Sequence, residues 1–195
     1  MFRVKKSVFK KFVQKSLFKK FKYQVIYYMS VTLVRVTKAN IAKLVKLQVS
    51  KEQKKYVAPI KATLRLGKSK PETYEGQPVA YWMRAIKYKQ QHVGIILLRF
   101  NPKPYLFKPS NYQPGAFLIR LMVATNVPEL KNVQGLGIGR KAVAGAKAYA
   151  KKLGYKKLYS SFVPGKHSPE KFYLRVGFKK TGKTIWGEKE IVLKL

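Results

Sequence analysis

The sequence predicts a single α/β domain that begins near residue 31, and three observations support this prediction. A chain of 195 residues with 46% hydrophobic content is long and apolar enough to bury one core. Short apolar runs typical of strands alternate with segments whose apolar residues recur at helical spacing. The run AFLIRLMV at 116–123 is almost continuously apolar, which is typical of a central strand buried on both faces.

The first 28 residues differ from the rest of the chain. Between positions 8 and 21, apolar residues recur every three or four positions and lysines fill the opposite side, a pattern that predicts a basic amphipathic helix. Such a helix can serve as a peripheral membrane contact (residues 2–28), as a targeting segment, or as a helix packed on the domain. We therefore divide the chain into an N-terminal extension, 1–28, and a domain, 29–195.

The first half of the domain is predicted to open with a strand, VTLVRV (31–36), and a helix, NIAKLVKL (40–47). Ser50 and Gln53 form a capping-box pattern, which predicts another short helix over KEQKKYV (51–57). Residues 67–80 are polar and rich in turn residues, so they are predicted to be a loop or a weak helix.

An antiparallel hairpin is predicted next, because the polar KQQ joins the apolar runs AYWMRAIKY (80–88) and HVGIILLRF (92–100). Four prolines within 101–115 predict a loop. The central strand 116–123 follows.

The last third of the chain is predicted to contain a strand, KKLYSSFV (156–163), and a short helix. Ser168 is placed to cap this helix, with Pro169 at its first position and Gly177 after its end. The closing stretch 181–195 predicts a turn and one final strand.

The charge is the most unusual property of the composition. The chain has 43 Lys and Arg against 7 acidic residues, all of them Glu, which gives a net charge of +36. Such a charge favours anionic partners, namely nucleic acid, phosphates or acidic membranes.

The residue counts also exclude several kinds of chemistry. The absence of cysteine excludes disulfides, thiolate metal sites and a cysteine nucleophile. The two histidines, His92 and His167, do not make a metal cluster unaided, and no metal is predicted. No apolar run approaches the roughly 20 residues that a membrane span needs, so we predict a soluble or peripheral protein of the cytoplasm.

Three glycines, Gly135, Gly137 and Gly139, stand at alternate positions directly before a helical pattern that ends at Gly154. At a helix N-terminus the free N–H groups and the helix dipole attract phosphate, and glycine removes the Cβ that would block its approach. A P-loop is excluded, because Arg140-Lys141-Ala142 offers no hydroxyl for magnesium. A dinucleotide fingerprint is excluded by the spacing of the glycines.

Two motifs, in the same order and at a similar separation, resemble the GNAT superfamily of N-acetyltransferases. Gln134-x-x-Gly137-x-Gly139 after a buried strand resembles that superfamily's acetyl-CoA pyrophosphate signature, and FYLRVGFKKTG (172–182) resembles its later motif, a short helix with a tyrosine that ends in Gly-Phe. The stretches 37–59 and 181–195 are similar to the branch that acetylates diamines and polyamines such as spermidine. The resemblance covers most of residues 31–195.

The resemblance implies a mixed, mostly antiparallel central sheet flanked by helices, in which strand 117–123 splays from strand 156–163. Acetyl-CoA would lie in the gap, with its pyrophosphate on the backbone amides of 135–140 and its pantetheine arm along the strand. The residues implied to hold it are Leu121, Val123, Gln134, Gly135, Leu136, Gly137, Ile138, Gly139, Arg140 and Lys141.

The resemblance also implies direct transfer of the acetyl group to a primary amine, which is a small amine, a polyamine or a peptide. Tyr173 matches the family's tyrosine, which returns a proton to the leaving thiolate. A base must deprotonate the ammonium of the acceptor, and among the few glutamates we prefer Glu188 and Glu52, with Glu72 and Glu75 as further candidates. A homodimer is compatible with this prediction.

The principal alternative is a non-catalytic basic protein that binds nucleic acid through phosphates. Abundant lysine interspersed with Tyr and Phe suits backbone contact and base stacking. The lysines, however, are spread along the whole chain instead of concentrating in one stripe. Non-specific binding to nucleic acid is expected from the charge under either interpretation.

Overall fold

The structure, a computed structural model, describes residues 31–66, 73–74, 76–102, 114–127, 130, 133, 135–185 and 187–195. The predicted extension (1–28), Gln134, Glu72 and Glu75 lie outside the described residues, as does most of the predicted proline loop. Within the described ranges, no helix is both long enough and apolar enough to cross a bilayer.

The secondary structure follows the α/β prediction. The strands are β1 (Val31–Arg35), β2 (Thr73–Tyr74), β3 (Gln77–Pro78), β4 (Ala80–Tyr88), β5 (Gln91–Asn101), β6 (Gly115–Val123), β7 (Lys157–Phe162), β8 (Lys179–Ile185) and β9 (Glu188–Lys194). The α-helices are α1 (Lys38–Leu44), α2 (Ile60–Leu66), α3 (Ile138–Lys152) and α4 (Glu170–Arg175).

Seven strands form one sheet in the order β1-β4-β5-β6-β7-β9-β8. All neighbouring strands are antiparallel except β6 and β7, which are parallel. The predicted hairpin is confirmed: β4 and β5 are joined by Lys89 and Gln90, which both have positive φ, as a tight hairpin turn requires. The mixed, mostly antiparallel sheet is therefore confirmed.

Helices cover the sheet and close the core. The buried stripe of α3 includes Ala142, Val143 and Ala146, and this helix packs against β1, β5 and β6. Gly145 permits this approach, because a Cβ there would come within 2.5 Å of the Leu33 side chain. Helix α1 packs on β5.

The prediction that 116–123 is buried on both faces is wrong, and it is the middle of β5 that is buried on both faces. Residues 93–98 of β5 are all buried, whereas burial alternates along much of β6. The reason is that Leu121 and Val123 of β6 border a cleft instead of core. The apolar residues of β6 thus line both the core and a cleft large enough for a ligand.

Several other element predictions need correction. The segment 51–57 forms only a 3-10 turn, Gln53–Lys55, although Ser50 and Gln53 exchange the expected capping contacts. The predicted loop or weak helix at 67–80 contains the small β2–β3 hairpin in its described part. Helix α4 begins one residue after Pro169. Helix α2 and strand β8 were not predicted at all.

Candidate active site

The central cleft opens where the two parallel strands part. β6 and β7 pair only at Ala116–Leu158 and Phe117–Tyr159, and the Ser160 hydroxyl then donates a 2.7 Å hydrogen bond to the Leu118 carbonyl. Beyond this point the strands diverge, which confirms the predicted splay. The space between them is part of a cleft of about 1150 Å³.

Strand β6 carries an extra residue at the edge of this cleft. Leu98 pairs with Leu118 and Leu97 pairs with Arg120, so Ile119 is a β-bulge. Past the bulge, the β6 backbone groups that face β7 have no partner on that strand. Since buried backbone groups require hydrogen-bond partners, this stretch is suited to a ligand that lies along the strand, and Leu121 and Val123 line the cleft there as expected.

The glycine turn forms the end of the cleft at the N-terminus of α3. Gly135 and Gly137 have φ of 80° and 73°, in the left-handed region, and a Cβ on either would meet only open space. Gly139 lies against Phe172, whose ring would be 3.0 Å from an added Cβ. The turn thus presents bare backbone at a helix N-terminus, which is the arrangement that binds phosphate.

Most of the predicted turn residues are in the expected place. Gly135, Leu136, Gly137, Ile138, Gly139 and Arg140 all line the cleft. Lys141, in contrast, is exposed and does not line the cleft. Its charge therefore acts on the cleft from a distance.

Tyr173 is buried beside the point where the strands part. Its ring packs edge-on against Phe172 and Phe178, with centroid distances of 5.3 and 5.4 Å. Helix α4 supplies it, and Gly177, with φ of 99°, then turns the chain toward Phe178. The predicted tyrosine therefore lines the cleft in a rigid aromatic setting.

The environment of Tyr173 keeps its phenol protonated. Burial raises its pKa to about 12, opposed by hydrogen bonding with Ser160, while the negative charge of Glu188 raises the pKa and the positive charge of Arg120 lowers it. The Ser160 hydroxyl donates its hydrogen to the Leu118 carbonyl, so the Ser160 oxygen is free to accept a hydrogen bond from the Tyr173 phenol. The Tyr173 phenol is therefore protonated in the resting site.

Glu188 lines the same cleft at the start of β9. The Ser161 hydroxyl of β7 donates a hydrogen bond to Glu188 Oε2, which holds the carboxyl group of β9 against β7. A carboxyl held this way is positioned to bind a cation or to take a proton.

Glu190 also lines the cleft, and its side chain is only 3% exposed. Its Oε2 accepts a 2.7 Å hydrogen bond from Thr181 Oγ1 on β8. Its Oε1 is buried and has no hydrogen-bond partner within the described structure.

Glu52 is placed differently from the other candidate base. Its carboxyl group is exposed, a hydrogen bond from Ser50 lowers its pKa, and it does not line the cleft. The structure therefore brings together Tyr173 and Glu188 but not Glu52.

Sequence reasoning missed several polar residues that line the cleft, among them Arg120, Ser160, Ser161 and Glu190. The clearest available signal was the alternation on β7, which places Tyr159 and Ser161 on one face. Glu190 gave no such signal, because the stretch EKE (188–190) is typical of a solvent-exposed charged segment. Among the described residues, no group of three or more His, Cys, Asp or Glu is arranged to hold a metal ion.

Comparison with known proteins identifies the sequence pattern. Residues 50–178, more than half of the chain, match the model of the "Acetyltransferase (GNAT) family". No curated protein sequence matches the chain significantly.

Solved structures with the same fold cover most of the chain. An acetyltransferase from Thermus thermophilus superposes with a TM-score of 0.60 at 15% identity, covering 86% of this chain and 99% of its own. The GNAT domain of S. lividans PAT superposes with a TM-score of 0.59 at 16% identity, covering 85% of this chain and 89% of its own. PaiA N-acetyltransferase from Thermoplasma acidophilum, in complex with coenzyme A, gives 0.55 at 17% identity, covering 86% and 100%. At these identities the likeness shows the fold.

Proposed function

The chain belongs to the acetyltransferase (GNAT) family, and we propose that it transfers an acetyl group from acetyl-CoA to a primary amine. The observation that carries this proposal is the meeting of three features at one cleft: a strand edge without a partner, a glycine turn at a helix N-terminus, and a buried tyrosine beside a carboxyl group. Acetyl-CoA supplies the activated acetyl group as a thioester.

The described residues fit this cosubstrate. The open space at Gly135 and Gly137 and the free amides at the start of α3 suit a pyrophosphate. Arg140 lines the same end of the cleft and adds positive charge. The β6 backbone near Leu121 and Val123 offers hydrogen-bonding groups to an extended pantetheine arm, and one of its amides can stabilise negative charge on the acetyl oxygen.

Glu188 and Tyr173 would divide the proton transfers between them. Glu188 accepts a proton from the ammonium of the acceptor, directly or through water. After the amine attacks, Tyr173 donates its proton to the leaving sulfur and regains one from the nitrogen of the tetrahedral intermediate, directly or through water. A pKa of about 12 makes the resting phenol a weak acid. Because the negative charge of Glu188 contributes to that shift, protonation of Glu188 makes Tyr173 a stronger acid when the sulfur departs.

Other sequence predictions stay predictions. Glu52 would act as a base only through water or movement of its segment. The diamine and polyamine branch, a homodimer, and membrane contact through residues 2–28 are further expectations. No feature of the described residues favours nucleic-acid binding as the principal function.

Release of CoA thiol from acetyl-CoA, with a panel of primary amines, tests the proposal. The chain has no cysteine, so a thiol reagent reports CoA alone. We expect release that depends on an amine and equals the acetylated amine formed, as measured by mass spectrometry. Acetyl-CoA that neither binds nor reacts with any amine of the panel would contradict the proposal.

A further inference from the structure

Glu190 has an energetic cost that the transfer reaction described above does not explain. Its carboxyl group is almost fully buried, yet Oε1 receives no hydrogen bond within the described structure. A buried polar atom without a partner is destabilising by roughly 1–3 kcal/mol, and more for a charged group. Since Glu190 lines the cleft, a ligand in the cleft can supply the donor once the carboxyl group turns Oε1 toward it.

A second carboxyl group lies beside Glu190. Glu190 is opposite Ser161 in the β7–β9 ladder, and the Ser161 hydroxyl donates to Glu188. Glu188 and Glu190 are two residues apart on β9, so their side chains point to the same face of the sheet. Neither forms an ion pair with a described residue, although the chain carries a net charge of +36.

An apolar surface adjoins these carboxyl groups on the same face. Tyr159 is two residues from Ser161 on β7, and its ring stacks on Phe117 at 5.4 Å and 27°. Its partner across the ladder is Val192, two residues beyond Glu190. Phe117 and Tyr159 both line the cleft. If the nitrogen of an acceptor lies at Glu190, the neighbouring atoms of that acceptor therefore contact these aromatic rings.

The other ionisable side chains of the described cleft lining favour a single positive charge on the acceptor. Apart from Glu188 and Glu190, the described lining contains no acidic residue, whereas five of its side chains are arginine or lysine: Arg99, Arg120, Arg140, Lys171 and Arg175. A second ammonium group on the acceptor would approach like charges, which is unfavourable inside a cleft where screening is weak.

We propose, on the basis of the function given above, that the acceptor is a primary amine with one positive charge and an apolar body. Its ammonium group lies between Glu188 and Glu190, and one N–H donates to Glu190 Oε1. Glu190 therefore selects and orients the acceptor, and the Phe117–Tyr159 surface receives the apolar body.

Calorimetric titration of the full-length protein tests this assignment without turnover. The amines are 2-phenylethylamine and hexylamine, compared with spermidine and a lysine peptide, each titrated with and without saturating CoA in about 0.3 M salt, which screens exposed charges. We expect the two monoamines to bind at least ten times more tightly than spermidine or the peptide. Equal or tighter binding of spermidine or the peptide, or no monoamine binding in either state, overturns the assignment.

Glu190→Gln separates a binding role from a structural one. We expect it to weaken monoamine binding about 10-fold to 100-fold, as loss of a charged hydrogen bond does, and to leave CoA affinity unchanged. Its thermal stability is expected to stay at or above that of the wild type, because the costly buried charge is removed. Unchanged monoamine affinity, or a lower melting temperature together with weaker CoA binding, overturns the role.

Glu170→Gln is the matched control. Glu170 forms an ion pair with Lys180 and does not line the cleft, so its substitution is expected to leave monoamine affinity unchanged. The experiments also distinguish failure of the proposed acetyl transfer from failure of this inference. If the protein is not an acetyltransferase, CoA binding and thiol release will be absent, whereas the monoamine titration still reports on the role of Glu190.

Discussion

The two walls of the cleft are built in different ways. The glycine wall, residues 118–123 of β6 with the turn 135–140, offers mainly backbone atoms. The acidic wall, Ser161 of β7 with Glu188 and Glu190 of β9, offers side chains held by hydrogen bonds across strands. The glycine wall, which we propose for the acetyl donor, thus depends on backbone conformation, whereas the acidic wall, which we propose for the acceptor, depends on side-chain chemistry.

Tyr173 lies where the two walls meet, so its loss is expected to have the largest effect. Tyr173→Phe keeps the ring packing and removes the acidic proton, and we expect kcat to fall at least ~100-fold with little change in either KM. Steady-state thiol release measures this. Tyr155→Phe is the matched control, since Tyr155 stacks on Phe100 outside the cleft. A loss smaller than about threefold in Tyr173→Phe would remove it from the chemistry.

Glu188 and Glu52 test whether the acidic wall alone supplies the base. We expect Glu188→Gln to lower kcat/KM for the amine by about tenfold or more, because the carboxyl group that accepts the proton is lost. Glu52→Gln is expected to change it less than about twofold, since Glu52 is exposed and outside the cleft. The reverse order of effects would transfer the role of base to Glu52.

The glycine wall is tested by adding one methyl group. Gly137→Ala puts a Cβ into open space beside the cleft at φ of 73°, and we expect KM for acetyl-CoA to rise about tenfold while KM for the amine stays unchanged. An L-residue in this conformation also costs about 1–2 kcal/mol. Gly154→Ala controls for that strain, because Gly154 has φ of 85° and equally open space but does not line the cleft. Equal kinetic effects in both variants would mean that strain alone is responsible.

The raised pKa of Tyr173 predicts a small effect of pH on the free energy of unfolding. In the folded protein the pKa of Tyr173 is about 12, above the ordinary value of 10. The contribution of the protonated phenol to the free energy of unfolding is therefore fully present below pH 10 and is lost as the pH rises from 10 to 12. Between about pH 9 and pH 11 the wild type should lose roughly 1 kcal/mol more than Tyr173→Phe. Denaturant unfolding of both proteins at the two pH values measures the difference. Parallel losses would indicate that the phenol is accessible to water.

The same contrast between the walls explains what the sequence could predict. The turn at 135–140 and helix α3 follow each other along the chain, so local spacing was enough to predict a turn suited to phosphate, and the family resemblance added Leu121 and Val123 of the glycine wall. The acidic wall brings together Ser161 of β7 with Glu188 and Glu190 of β9, and Thr181 of β8 donates a hydrogen bond to Glu190. Its burial is a product of strand pairing, which local patterns do not contain.

Missed elements have similarly specific causes. β8 is a lysine-rich edge strand with Gly182 inside it, and its pairing with β9 shifts register between Lys180 and Thr184, so it shows no alternation. For α2, the buried pair Ile60 and Leu64 after Pro59 was a readable helical signal. The apolar run of β6 predicted a strand correctly, but apolarity does not distinguish a core from a cleft.

The parting of β6 and β7 divides the sheet into a block of four strands and a block of three, joined by two ladder positions. An extended molecule lying in that division takes the place of a missing strand, and its polar atoms can continue the ladder on one side or on both. Bound acetyl-CoA would then bridge the two blocks of strands, and the folded domain would be more stable with the acetyl donor bound than without it. Amide hydrogen exchange in β6 and β7 would therefore become slower when acetyl-CoA binds and return to its earlier rate after the products leave.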